Sequence, residues 1–340
     1  MDFCIVKSKN RKMEYRKLGQ SPLELSAITY GAFAIGGNMW GGNERQDSIA
    51  AIHASIDHGV TSLDTAPFYG FGLSEELIGD ALVGKDRTKV QILTKFGLVW
   101  DGSNEGKGEY FFDAEENGKK IPVYKYAAKQ NVIKEVEESL KRLKTDYIDL
   151  LQLHWPDAST PIDETMEALS SLLQQGKIRA AGVSNYSLAD VETAYKTLNL
   201  ASNQVSYSML NRSIEQDLVP YTTAHNIGII AYSPLERGLL SGKYFADAKL
   251  KSDDHRNGYF GQFNPEKVKA LLAALQPLAE SKKASLAQLV LRWTSLQRGI
   301  TVVLAGARNA DQAASNARAM DISLSNDELQ FIHKELAKLQ

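Results

Sequence analysis

Four polar side chains stand at or just after the ends of apolar runs, and as a set they suit proton transfer. Asp64 lies near the end of "TSLDTA", Tyr69 follows five residues later in a Pro/Gly-flanked loop, Lys95 lies near the end of "VQILTKFG", and His154 that of "IDLLQLHW". Singly, each has an ordinary explanation. A strand-end aspartate often caps a helix, a tyrosine after proline often packs, and a lone histidine is usually a satisfied core residue. Together they constrain one another. An ammonium entering an apolar interior is costly without a counter-charge, and Asp64 can supply one. A cation beside a phenol stabilises the phenolate, so the sequence predicts a Tyr69 with a lowered pKa, able to give or take a proton near neutral pH. His154 is then placed to donate to a substrate oxygen and orient it.

Such a set must be gathered by a scaffold. Eight short runs, "AITYGA", "TSLDTA", "VQILTKFG", "IDLLQLHW", "IRAAGVSN", "NQVSYSML", "IGIIAYSP" and "ITVVLAGA", alternate with amphipathic helical stretches. Most are continuously apolar, as parallel strands covered on both faces are. "NVIKEVEESLKRLK" carries Val132, Val136, Leu140 and Leu143 on one stripe. Thr160, Pro161 and Asp163 read as a capped helix start, as do Ser285 with Gln288 and Ser325 with Glu328. Eight strand–helix units give a closed (β/α)8 TIM barrel, whose strand ends converge on one mouth. A doubly wound sheet would carry G-x-G-x-x-G after its first strand; here that place reads "GAFAIGG", and no phosphate-binding G-x-x-x-x-G-K-[ST] occurs.

Three segments fall outside the repeat. Residues 13–25 read as an N-terminal β-hairpin beneath the barrel, and 97–130 and 235–263 as long loops after strands three and seven, of the kind that form lids. Residues 1–12 read as a loosely ordered N-terminal extension, and 13–340 as a single barrel domain. The net charge of -2 gives no electrostatic reason to expect nucleic acid or an anionic membrane. Cys4 is the sole cysteine, so no intrachain disulfide and no cysteine zinc site forms, and no metal is called for. The short apolar run at the N-terminus makes neither signal peptide nor membrane span, which leaves the cytoplasm as the expected location.

"LDTAPFYG", "TKFG", "LLQLHWP" and "AGVSNY" resemble the aldo-keto reductase superfamily, and the resemblance runs from about Met13 to the end. "GAFAIGGNMWGG" is most similar to its bacterial general-stress and sugar-aldehyde branch. The resemblance implies a catalytic tetrad at Asp64, Tyr69, Lys95 and His154. It also implies hydride transfer from C4 of NAD(P)H to an aldehyde or ketone, with the tyrosine protonating the developing alkoxide. Ser184, Asn185 and Gln204 carry the groups a carboxamide needs, and Tyr232 offers a face for a nicotinamide ring. By resemblance, Ser233, Leu235, Gly238, Leu240 and Lys243 belong to a loop over the pyrophosphate, and Gly306, Arg308, Gln312 and Asn316 hold the adenosine end. An arginine at 308 suits a 2′-phosphate, which favours NADP(H) over NAD(H). Phe33, Trp40, Phe68, Phe96, Trp100 and Trp155 are the expected aromatic wall of a small-molecule pocket. The expected partner is an aldehyde, ketone or sugar-derived substrate. The alternatives are a polyol or cyclitol dehydrogenase, a cofactor-binding regulatory subunit similar to potassium-channel β subunits, and a Schiff-base lyase built on Lys95.

Overall fold

Runs of aliphatic residues that cannot face water on either side suit a parallel sheet wrapped by helices, and the chain closes that sheet into a barrel in a computed structural model. The structure describes residues 13–37, 43–116, 118–246 and 256–339; the extension 1–12 and Trp40 lie outside them. Strands β1 (Tyr15–Lys17) and β2 (Glu24–Ser26) pair antiparallel as the N-terminal hairpin. The barrel strands are β3 (Ile28–Gly31), β4 (Ser62–Asp64) and β5 (Gln91–Phe96). After an accessory sheet of β6 (Leu98–Val99), β7 (Glu109–Glu116) and β8 (Lys119–Lys125) come β9 (Ile148–Leu153), β10 (Ile178–Ser184), β11 (Ser202–Ser206), β12 (Gly228–Tyr232) and β13 (Ile300–Gly306). The eight close in the order β10-β11-β12-β13-β3-β4-β5-β9, every pairing parallel.

Strand alternation divides the core in two. Leu93, Leu150, Ala180, Ile230 and Val302 fill the barrel interior, joined by Leu18, Leu23 and Leu25 from the hairpin, which plugs the floor. Each fully buried leucine contributes roughly 1.5–3 kcal/mol, so the short hairpin is held by side chains more than by its three-residue ladder. The outward positions, Ile92, Phe96, Leu151 and Val183 among them, pack under the helices. Among the described residues no helix is long and apolar enough to cross a membrane.

Four details differ from the sequence reading. Residues 97–130 are largely the accessory sheet, because Glu116 and Glu115 face Lys119 and Lys120 across β7 and β8 and opposite charges stabilise cross-strand pairs. Helix Ile162–Gln174 starts after Pro161 with no side-chain cap, so Thr160 does not cap it; the capping boxes at Ser285 and Ser325 do form. A third box, Ser187 with Asp190, starts helix Leu188–Tyr195. The stretch from Leu235 to Phe263 holds short helices, Glu236–Ser241, Lys243–Ala246 and Arg256–Phe260, while residues 247–255 are outside the described set.

The accessory sheet is rooted on helix Lys129–Leu143. The Gly97 amide donates to both carboxyl oxygens of Glu135 (3.0 and 3.1 Å). The Asn131 side chain donates to Glu135 (2.6 Å) and to the Tyr126 carbonyl (2.8 Å), so both ends of the insertion meet at one buried carboxyl. Burial pushes the Glu135 pKa up from 4.5 to about 8, against the pull of the Gly97 amide. The folded chain therefore keeps a proton that the unfolded chain releases near pH 4.5. The associated stability is complete below that pH and is lost as pH rises through about 8. Each unit of the interval is worth up to about 1.4 kcal/mol. In denaturant melts, Glu135→Gln, which cannot titrate, is expected to lose less stability than the parent between about pH 5 and pH 8. Parallel profiles would show that the carboxyl ionises normally.

Candidate active site

Lys95 lies on the inward side of β5, in register with Gln152 of β9, one strand away from Asp64 on β4. Its ammonium donates to Asp64 Oδ1 (2.6 Å) and to the Thr65 carbonyl (2.9 Å), with both side chains essentially inaccessible. Asp64 Oδ2 accepts from Gln204 Nε2 of β11 (2.8 Å). The pair is thus a charged knot inside the mouth, satisfied on every side. The Tyr69 ring sits above it, with the Lys95 nitrogen 4.9 Å from the ring centroid, and the His154 ring meets Tyr69 edge-on at 5.6 Å. The four residues expected from the sequence are brought together.

Their electrostatics differ from the expectation in one respect. Burial pushes the Lys95 ammonium down, but Asp64 and then Tyr69 outweigh it and hold the pKa above its ordinary value. His154 is driven well below 6.5, first by burial and then by Lys95, and is a neutral imidazole. Tyr69 is half-buried at the mouth, yet burial outweighs the pull of Lys95, so its pKa lies above 10 rather than below it. The lowered phenol expected from a nearby cation is not found in this state; Tyr69 rests fully protonated.

Close backbone contact fixes the tyrosine. Gly70 (φ 65°) lies so near the 3-10 turn Ala32–Gly36 that a Cβ there would fall 2.0 Å from the Gly36 carbonyl oxygen. Phe33, from the same turn, packs on Tyr69 at 4.8 Å between ring centroids.

The rim residues divide into those at the mouth and those below it. Asn185 adopts a left-handed backbone (φ 61°). Its Nδ2 donates to the His154 carbonyl (3.0 Å) and its Oδ1 accepts from the Tyr232 hydroxyl (2.8 Å), which orients the Tyr232 ring. Ser184 is buried and donates to the Gln204 carbonyl (2.9 Å). Gln204 commits its Nε2 to Asp64, which ties it to the charged knot. Beyond β12 the backbone is left-handed at Ser233, Glu236, Arg237 and Gly238. Leu235 is half-buried and Lys243 is exposed. Leu240 is a correction: its side chain is fully buried in the outer core and its amide donates to the Leu235 carbonyl (3.1 Å), so neither faces the rim. After β13, Gln312 accepts from the Arg308 amide (3.0 Å) and Asn316 donates to the Gly306 carbonyl (3.0 Å), shaping the turn before helix Ala310–Ala317.

Of the expected aromatic wall, Phe68, Trp100 and Trp155 form one cluster beside the tyrosine loop, completed by Phe71, Phe111 and Phe112. Phe96 is not part of it. One residue beyond the inward Lys95, it points outward and is 1% exposed in the core beneath the helices. A cavity of about 780 Å³ lies beside the loop after β9, lined by Asp157, Ile162, Tyr186 and Asp190 among others, and includes none of the four charged and aromatic groups above. Convergence of side chains, and not cavity volume, marks the site.

The sequence model described as the aldo/keto reductase family matches residues 27–336. The chain is 37% identical to aldo-keto reductase YhdN of Bacillus subtilis, covering 94% of this chain and 93% of that one. It is 35% identical to the NADH-specific methylglyoxal reductase of Escherichia coli, over 91% and 94% of the two chains. Among solved structures, the glycerol dehydrogenase AKR11B4 of Gluconobacter oxydans matches with a TM-score of 0.84 at 36% identity, covering 96% of this chain and 95% of that chain. The chain belongs to the aldo/keto reductase family. It is an oxidoreductase acting on carbonyl or alcohol groups of small molecules, and its family binds nicotinamide cofactors.

Within this family member, sequence reasoning missed Gln152, Phe111 and Phe112. Gln152 has no solvent exposure and sits 3.5 Å from Asp64 Oδ2, also 3.5 Å from Gln204 Nε2. Its signal was a lone amide inside the apolar run "LLQLHW". The two phenylalanines lie in a stretch taken for loop. If backbone contact positions Tyr69, Gly70→Ala should cost about 1–3 kcal/mol more than Gly84→Ala in denaturant melts. Gly84 is also left-handed but has nothing within 4 Å of a built Cβ. Equal losses would mean that the contact with Gly36 carries no weight.

Proposed function

We propose that the enzyme reduces aldehydes or ketones with NADPH, using Tyr69 as the proton donor, Lys95 with Asp64 to stabilise the phenolate left behind, and His154 to orient the carbonyl. The observation that carries this reading is the convergence of a protonated phenol, a buried ammonium and a neutral imidazole at one barrel mouth. A substrate oxygen seated between Tyr69 and His154 meets two groups able to donate. Tyr69 is protonated because burial keeps its pKa up. As its proton leaves, negative charge grows beside the Lys95 ammonium, which acts on the anion far more than on the neutral phenol. Asp64 keeps Lys95 charged, and Gln204 keeps Asp64 in place. Lys95 is therefore no free amine, which argues against a Schiff-base lyase.

The rim residues fit a nicotinamide dinucleotide. Tyr232 has a ring oriented by Asn185 next to the proton donor, and the left-handed strap and Arg308 suit phosphate. Tyr232, Ser184, Asn185 and Gln204 would hold the nicotinamide end, Ser233, Leu235, Gly238 and Lys243 the pyrophosphate, and Gly306, Arg308, Gln312 and Asn316 the adenosine end. When bound, the cofactor supplies the hydride that the carbonyl carbon accepts. The aromatic cluster at Phe68, Trp100 and Trp155 would shield that carbon from water. Similarity to a glycerol dehydrogenase favours a second reading, in which the same residues run in reverse on a polyol with Tyr69 as base.

Tyr69→Phe is expected to lower carbonyl reduction roughly 100- to 10,000-fold while leaving dinucleotide affinity nearly unchanged, read by absorbance at 340 nm and by fluorescence titration. A variant retaining most of its kcat would remove Tyr69 as the acid. Arg308→Ala should weaken NADPH binding about tenfold to a hundredfold and NADH binding much less. Equal losses would take away the 2′-phosphate assignment.

A further inference from the structure

The cavity of about 780 Å³ beside the loop after β9 has no part in the chemistry above. Its walls come from that loop, the first turns of helices Ile162–Gln174 and Leu188–Tyr195, and the flank of the accessory sheet at Glu109 and Lys125. Two side chains on these walls carry unused hydroxyls. Tyr186 is 3% exposed and Thr160 7%, yet among the described residues neither hydroxyl has a hydrogen-bond partner. Buried hydroxyls are ordinarily paired, because leaving one unpaired costs its full desolvation. Burial, then Asp190 and Asp157, hold the Tyr186 phenol above its ordinary pKa, so it keeps its proton. Both of those carboxylates also line the cavity, which puts the hydroxyl on the cavity side of the ring.

The surrounding charges select the ligand. Glu109 is neutralised by Lys125 at 2.7 Å, which leaves Asp157, Asp163 and Asp190 against the exposed Lys196. Asp157 is fully engaged: Oδ2 accepts from the Ala127 amide (2.9 Å), and Oδ1 from the Ser159 amide (2.8 Å) and hydroxyl (2.6 Å). Asp163 spends Oδ1 on the Glu164 amide (3.0 Å) and Asp190 spends Oδ2 on the Ser187 hydroxyl (2.7 Å). Among the described residues the second oxygen of each is open. No group of carboxylates among the described residues is close enough to hold a metal ion. Acceptors spread across a cavity suit an organic cation instead, since an ammonium has three donors and no acceptor. Pro156, Pro161 and Ile162 give an alkyl stem an apolar strip to lie on. We propose that this cavity is a second binding site, separate from the barrel mouth, for a small organic ammonium with an alkyl stem, its nitrogen held by Tyr186, Thr160 and the open oxygens of Asp163 and Asp190. The site stands whether or not the cofactor reading above holds.

The test is titration calorimetry on the full chain with hexamethylenediamine, with hexanediol as the uncharged probe of the same length. The diamine should bind once per chain and about tenfold or more tighter than the diol. Tyr186→Phe, which removes the hydroxyl and keeps the ring, should weaken diamine binding about tenfold without lowering the melting temperature. Thr160→Val should weaken it by a similar factor. Asp163→Asn combined with Asp190→Asn keeps an acceptor oxygen for Glu164 and Ser187 and removes both charges; it should weaken binding about tenfold to a hundredfold. Tyr69→Phe should bind the diamine as the parent does, because the mouth is not involved. Equal affinity in Tyr186→Phe and the parent would overturn the site, as would a diol that binds as tightly as the diamine or a diamine that gives no binding at all. Loss of diamine binding in Tyr69→Phe would move it to the mouth and overturn the proposal equally.

Discussion

The buried contact between Lys95 and Asp64 is the constraint to which the rest of the mouth answers. Two charges with almost no solvent access are tolerable only when each is satisfied from several directions. The barrel provides this because β4, β5, β9 and β11 aim side chains at one point. Asp64 and Lys95 come from adjacent strands, Gln152 from the next, and Gln204 from across the interior. An open sheet would leave one flank of such a cluster to water. Closure supplies the missing side, and the polar layer sits above an interior of Leu93, Leu150, Ile230 and Val302 sealed below by the hairpin leucines.

From this layer outward, order is passed on by backbone contacts and buried polar anchors. Gly70 against Gly36 fixes the loop that carries Tyr69, Asn185 fixes Tyr232 while bonding the His154 carbonyl, and Glu135 roots the insertion that brings Phe111 and Phe112 to the aromatic cluster. Each anchor links a loop to a neighbouring barrel element. The barrel can therefore carry a long insertion without blurring the mouth, since the insertion is attached at both its ends, Gly97 and Tyr126, to one helix.

How much of this was legible in the sequence follows from the range of each interaction. The eight strands were visible because burial on both faces leaves a local trace, a continuous aliphatic run. Asp64, Lys95 and His154 were visible because a polar residue interrupting such a run stands out. Phe96 does not join the expected aromatic wall, because alternation along β5 sends Lys95 inward and Phe96 outward. The accessory sheet was missed although Asn117-Gly118 is a hairpin-turn signal between a pair of glutamates and a pair of lysines. The sign of the Tyr69 shift was out of reach, because it depends on the surrounding protein and not on which cation lies near.

The raised Tyr69 pKa sharpens the account of the chemistry. If Tyr69 is the proton donor, as proposed, an acid poised near neutrality would spend part of its time deprotonated; burial counters that loss by keeping the phenol intact. The opposite risk is an acid too weak to act, and here the position of Lys95 matters. A cation interacts weakly with a neutral phenol and strongly with a phenolate, so its stabilisation is small at rest and grows only as the proton leaves. Burial strengthens that difference, because the charges meet where water screens them little. In the proposed mechanism, the same desolvation that makes Tyr69 a reluctant acid at rest would therefore make Lys95 an effective partner once charge develops, and a neutral His154 would add no competing positive charge at a substrate oxygen beside it.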